Sequence, residues 1–177
     1  MHCLSTRGEA PSVDLAAALQ AGLAPDGGLY VPERLPATGS EALDSDGGLP
    51  RVAERVLAPF FADGPLAEPL GDICRASLDL PLPIESLPER DDAAGPAWML
   101  ELFHGPTAAF KDFAARFLAE CMDRLAVPGT VRTILVATSG DTGSAVAAAF
   151  HGRDAFRVRI LYPDGRVSPL QAHQLGA

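Results

Sequence analysis

Thr133-Ile134-Leu135-Val136-Ala137-Thr138-Ser139-Gly140-Asp141-Thr142-Gly143 is the stretch that decides the fold of this chain. A short apolar run ends in a Ser/Gly/Asp cluster, the pattern of a buried strand followed by a tight turn. From Asp141 to about His151 the residues read as a helix opened by that turn. Upstream, Trp98 to Phe103 is a second apolar run suited to a buried strand, broken by Gly105-Pro106-Thr107. Between the two runs, apolar residues at 110, 113, 114, 117, 118, 121, 122 and 125 follow the spacing of an amphipathic helix. Its outer face offers Arg116–Glu120 and Glu120–Arg124 pairs. Downstream, Arg157 to Tyr162 predicts a third strand, and Ser168-Pro169 the cap and first residue of another helix. Alternating strands and helices imply right-handed crossovers and a parallel sheet. Three strands leave an open edge that something must cover, so the chain reads as part of a longer functional polypeptide.

The first half has a different grammar. Ser12 can cap a helix running to about Ala21, with Leu15, Ala18 and Leu19 on one face and Gly22 ending it. Asp26-Gly27-Gly28 predicts a turn into an extended Leu29-Tyr30-Val31 closed by Pro32. Residues 37–50 read as a polar loop, stretches around 51–62 and 67–78 as helices, and Pro81 to Pro96 as a linker or long connection. The expected architecture is α/β, with a small, mainly helical domain over 1–95 and part of a parallel-sheet αβα domain over 96–177.

The 177 residues are 47% hydrophobic and 21% charged, too apolar for disorder, and contain no apolar run long enough for a membrane span. Fourteen basic residues against 23 acidic ones leave a net charge of −9 with no basic run, which argues against nucleic acid and anionic membranes as partners. Met1 to Arg7 has neither the apolar stretch of a signal peptide nor the Arg/Ser repetition of a transit peptide, so the cytoplasm is the expected compartment. Cys3, Cys74 and Cys121 are odd in number and scattered, and read as reduced structural thiols.

Of the basic residues 13 are arginine and one, Lys111, is lysine. Arginine replaces lysine on most solvated faces but cannot act as an amine nucleophile, so a lysine that survives such a bias is a candidate for imine chemistry. Lys111 falls at the border of the predicted apolar stripe beside Phe110, Ala114 and Ala115, where small alanines leave room for a planar group. The competing reading is a lysine snorkelling from a helix rim. Ser139, Gly140, Asp141, Thr142 and Gly143 form the second candidate site. Glycines admit a ligand close to the backbone, unpaired N–H groups at a helix start favour an anion, and the segment sits at the carboxyl end of a strand. A plain structural cap is the alternative. No GxGxxG, GxxxxGK[ST] or GxSxG motif is present, and His2, His104, His151 and His173 have no metal-ligand spacing. His104 could share a cleft with Lys111, although a histidine satisfied in its own turn is the commoner outcome.

Glu101 to Ala114, with His104-Gly105-Pro106-Thr107-Ala108-Ala109-Phe110-Lys111-Asp112 at its centre, resembles the pyridoxal-phosphate attachment segment of serine/threonine dehydratase-like enzymes, and most closely that of the threonine synthase family. Ser5 to Ala10 and Ala21 to Pro32 resemble that family's N-terminal domain, and Ala137 to Ala145 and Leu161 to Pro169 also match. The blocks run along essentially the whole chain in family order.

The resemblance implies a lyase of threonine biosynthesis. In it Lys111 holds pyridoxal 5'-phosphate as an imine, and Asp141 contacts the cofactor ring, where many relatives have Asn. Ser139, Gly140, Thr142 and Gly143 receive the substrate carboxylate. It implies conversion of O-phospho-L-homoserine and water to L-threonine and phosphate: the α-proton goes to the Lys111 amine, a Cβ proton follows, phosphate leaves Cγ and water adds at Cβ. The family's glycine-rich loop for the cofactor phosphate does not follow residue 143. Residues 1–177 therefore read as the N-terminal portion, a fragment expected to be inactive alone and to self-associate through its sheet edge. The alternatives are another pyridoxal-phosphate lyase such as a threonine dehydratase, against which the N-terminal blocks argue, or a catalytically silent fragment.

Overall fold

Strand β1 (His2–Ser5) runs between β2 (Val13–Asp14) and β3 (Tyr30–Pro32) in an antiparallel sheet, with Cys3 opposite both Val13 and Pro32 and Ser5 opposite Tyr30. The computed structural model describes residues 1–43, 46–88, 95–138 and 140–176. The alternation of β1 buries Cys3 and Ser5, the period-2 pattern of a half-buried strand. Strands β1 and β2 are not among the expected elements, whereas β3 falls on the predicted extended Leu29-Tyr30-Val31 closed by Pro32. Helix α1 (Leu15–Ala21) starts from Asp14, whose Oδ1 accepts from the Ala17 N–H at 2.7 Å, and not from Ser12. It ends as expected at Gly22, whose φ of 73° lies in the left-handed region and whose N–H donates to the Ala18 carbonyl. The polar loop is shorter than predicted: Ser40–Leu43 forms a 3-10 turn and helix α2 (Gly48–Phe61) begins within it. Helix α3 (Leu70–Leu78) packs on α2.

Asp26 ties this sheet to its turn. Its carboxylate accepts from the Ser5 hydroxyl at 2.7 Å and from the N–H groups of Gly28, Glu9 and Ala10 at 2.9, 3.1 and 2.9 Å. The Ser5 hydroxyl foremost, with the backbone donors, lowers the carboxyl below its ordinary range, against the opposing pull of desolvation. A depressed carboxyl contributes stability that is present above its unfolded-state pKa and lost as pH falls through the folded one. The difference in urea midpoint between the native chain and Asp26→Asn is therefore expected to be full at neutral pH and to shrink once acid protonates Asp26. A difference independent of pH would contradict this role.

The chain divides into two compact units. The first comprises Met1–Asp79 with Phe117–Arg132 and Arg153–Ala155. Its core contains Phe61, Leu66, Leu70, Ile73 and Cys74, with the Phe61 and Phe117 rings meeting edge to face at 6.0 Å. Burial pushes the Cys74 thiol up to about 11 and the Cys121 thiol up to about 12, and all three cysteines are free and buried. Glu120 bonds Arg124 at 3.1 Å and Arg153 at 2.5 Å, and Asp123 pairs with Arg153.

The second unit comprises Leu80–Arg116, Thr133–Gly152 and Phe156–Ala177. Strand β4 (Ile84–Ser86) lies inside the predicted linker and pairs antiparallel with β5 (Trp98–Leu100), Ile84 facing Leu100 and Ser86 facing Trp98. The expectation that 98–103 forms a buried strand of the parallel sheet is thus corrected: Trp98 is 63% exposed and β5 belongs to a hairpin. An apolar run alone cannot separate a central strand from a two-stranded ribbon. Helix α4 (Lys111–Arg124), β6 (Arg132–Ala137), α5 (Asp141–Phe150), β7 (Phe156–Leu161) and α6 (Pro169–Gly176) follow in the predicted order. The Arg132 N–H donates to Ala155 and the Thr138 N–H to Leu161, a constant offset that makes β6 and β7 parallel. Among the described residues this sheet has two strands, not three.

Candidate functional site

The segment leading into α4 is a tight turn. The Ala108 N–H donates to the Gly105 carbonyl at 3.1 Å and the Asp112 N–H to the Ala109 carbonyl at 3.0 Å. Ala108 sits at φ 55°, a left-handed conformation that a residue with a Cβ rarely adopts. Asp112 explains how the turn persists. It is fully buried, its Oδ2 accepting from the Thr107 N–H at 2.9 Å and its Oδ1 from the Thr107 hydroxyl at 2.7 Å. A Cβ on Gly105 would lie 2.8 Å from the Asp112 Cβ and closer still to its Oδ2, so only glycine lets the two segments approach.

Lys111 is the first residue of α4 and is half-buried, with Nζ 4.2 Å from the centroid of the Phe110 ring. At its start the helix is turned relative to the predicted stripe: Phe110 is 60% exposed and Ala114 is exposed, whereas Asp112, Ala115 and Ala119, outside the stripe, are buried. Further along, Cys121 and Met122 are buried as the stripe predicts. The buried positions keep helical spacing but pass through small residues and one carboxylate, which a count of large apolar residues does not register. His104 bonds Glu101 at 2.6 Å and stacks on Phe103, satisfied within its own turn.

Ser139 lies outside the described residues. Gly140 precedes α5 with no side chain capping the helix, and its N–H donates to the Thr138 hydroxyl at 3.2 Å. Asp141 and Thr142 are exposed, and Gly140 and Gly143 are buried. The Gln171 side chain on α6 donates from Nε2 to Asp141 Oδ1 at 3.2 Å and accepts from the Ser168 N–H at 3.1 Å. A Cβ on Gly140 would meet Gln171 Nε2 at 2.7 Å, and one on Gly143 would meet Thr138 Cγ2 at 2.5 Å and Leu175 Cδ2 at 2.6 Å. Both predicted segments belong to the second unit; Lys111 contacts its neighbour Phe110, and Asp141 is bonded by Gln171, thirty residues further along the chain. Sequence reasoning missed Asp112 and Gln171. The first had a signal in the 112, 115, 119, 122 spacing, and the second in the Ser168 cap three residues before it, whose hydroxyl accepts from the Gln171 N–H.

The donor set offers two chemistries. An amine at the start of α4 suits a carbonyl group, and the N–H groups opening α5, with no side-chain cap, suit an anion such as a carboxylate. Among the described residues no cluster of three or more His, Cys, Asp or Glu could hold a metal, and no helix is long and apolar enough to cross a membrane.

Residues 2–78 match the family described as Threonine synthase N terminus. Along 99% of its length the chain is 42% identical to threonine synthase of Pseudomonas aeruginosa and covers 38% of that protein. It is 43% identical to a pyridoxal-phosphate-bound threonine synthase from Brucella melitensis, with a TM-score of 0.80 over 98% of this chain and 38% of that one. The crystal structure of threonine synthase from Escherichia coli superposes with a TM-score of 0.84 at 36% identity, over 99% of this chain and 40% of that one. The chain thus spans well under half the length of the relatives it matches.

Proposed function

The chain corresponds to the N-terminal portion of the threonine synthases, and on that premise we propose that it supplies the cofactor-bearing lysine and the substrate-carboxylate loop for converting O-phospho-L-homoserine and water into L-threonine and phosphate. The observation that carries this reading is the placement of the single lysine, half-buried at the head of α4 behind a turn braced by a buried carboxylate. Bound pyridoxal 5'-phosphate supplies an electron sink that makes the α-proton of an amino acid removable. Lys111 Nζ is the group that holds the cofactor and, once free, accepts the proton from the substrate Cα. Gly140, Thr142 and Gly143 present the opening of α5 to the substrate carboxylate, and the helix dipole favours its charge; the family resemblance assigns Ser139 to the same role. Asp141, its Oδ1 engaged by Gln171, faces the cofactor ring in this reading. A protein of net charge −9 must attract an anionic substrate through such local donors and not through its overall field.

The same reading assigns residues 1–95 to the family's N-terminal domain and 96–177 to the start of its catalytic domain, with the enzyme in the cytoplasm. It holds that residues 1–177 by themselves release no phosphate, since they span well under half the length of the threonine synthases they match. The exposed Leu135 and Leu161 on β6 and β7 favour self-association of that portion when it stands alone.

These residues contain two primary amines, the Met1 terminus and Lys111. Borohydride reduction in the presence of pyridoxal 5'-phosphate, followed by peptide mapping, is expected to place the label on Lys111. Label found on Met1 and absent from Lys111 would overturn the assignment.

A further inference from the structure

We propose that Asp112 is a positioning residue that acts through Thr107 to hold the 105–111 turn in the shape that presents the Lys111 amine; the inference rests on the proposed role of Lys111. Lys111 and Asp112 are neighbours at the head of one helix, so their side chains leave it in different directions. Lys111 is half-buried and Asp112 is fully buried. A buried carboxylate must find donors, and among the described residues Asp112 finds two on one residue, Thr107, through its N–H and its hydroxyl. Those bonds close a loop across Ala108, Ala109, Phe110 and Lys111. They tie the residue before Ala108 to the helix after it, which keeps Ala108 at φ 55°. Gly105 admits the carboxylate from the other side, since its missing Cβ leaves the space that Asp112 occupies. The first turn of the helix also favours the negative charge. The turn thus has a carboxylate anchor, a hydroxyl clasp and a held backbone, and the lysine lies one residue before the anchor.

Lys111 and the Met1 amine, read by peptide mapping in the full enzyme carrying this sequence, provide an internal ratio. At limiting pyridoxal 5'-phosphate, and at a temperature well below each variant's unfolding, Asp112→Ala and Thr107→Val are expected to lower the rate of Lys111 labelling about tenfold, the scale of losing a hydrogen bond to a charged group. Met1 labelling is expected to stay unchanged. Thr107→Ser keeps the hydroxyl and is expected to restore the ratio, and Asp112→Asn, which can still accept from the Thr107 N–H and donate to its oxygen, is expected to recover part of it. A merely structural role would lower the melting temperature and leave the ratio of the two amines alone. Should Asp112→Ala fail to fold, the Thr107→Val and Thr107→Ser pair decides. A native ratio in folded Thr107→Val overturns the proposal while the role of Lys111 stands. A wild-type enzyme labelled at Met1 and not at Lys111 removes the functional reading and this inference with it.

Discussion

Under the proposed function, Lys111→Arg is expected to lower phosphate release from O-phospho-L-homoserine by roughly a thousandfold or more in the full enzyme, while shifting stability by no more than about 0.5 kcal/mol. The two effects separate because of where the side chain lies. Its Nζ rests 4.2 Å from the centre of the Phe110 ring, itself 60% exposed, so little packing depends on it. A guanidinium keeps the positive charge, the contact with the ring and the preference for helix. It stays protonated in proteins, however, and can neither hold an aldehyde nor accept a proton from a carbon acid. Lys111→Ala removes the ring contact as well as the amine, and is expected to be as inactive as the arginine variant. Small primary amines added to the solution are expected to restore part of the activity to the alanine variant, whose cavity they can enter, and none to the arginine variant. Retention of about a tenth or more of native turnover by either variant would show that Lys111 does not carry the chemistry.

What could be read from the sequence follows how local each signal is. Helix α5 begins at Asp141 and α6 at Pro169 as predicted, because the turn residues that start them are their immediate neighbours. Gly22 ends α1 for the same reason. Strand β1 was not legible, since what makes it a strand is pairing with residues 13–14 and 30–32, far along the chain. Strand β5 was misplaced for the converse reason: its apolar run was recognised, but its partner β4 lies in a Pro-rich stretch read as linker. The candidate site residues were proposed from one-dimensional signals, Lys111 from the composition bias and 139–143 from the turn residues. Asp112 was not, because a charged residue inside an amphipathic pattern is assigned to solvent by default, and only the bonds from Thr107 reverse that assignment.

Gly143→Ala is expected to be the most damaging substitution for stability in the second candidate segment, costing about 2 kcal/mol or more. In a helix, exchanging glycine for alanine ordinarily gains about 1 kcal/mol. Here the added Cβ would meet Thr138 Cγ2 at 2.5 Å, Leu175 Cδ2 at 2.6 Å and Ile160 Cγ2 at 3.3 Å. Leu175 can turn aside, but Thr138 is held at both ends: its N–H donates to the Leu161 carbonyl at 2.9 Å and its hydroxyl accepts from the Gly140 N–H at 3.2 Å. Moving it would disturb the β6–β7 ladder and the start of α5 together, so overpacking outweighs the gain in propensity. Gly140→Ala is a different case, because its Cβ would meet the far end of the Gln171 side chain, which can swing away at the cost of its bond to Asp141. The expected order in melting temperature is therefore native, then Gly140→Ala, then Gly143→Ala. Substrate affinity relative to cofactor affinity is expected to fall in Gly140→Ala, whose backbone stands at the opening of the helix. If Gly143→Ala melted with the native protein, α5 would not be packed against Thr138 and α6 as the structure has it, and the missing side chain at 143 would need a ligand to explain it.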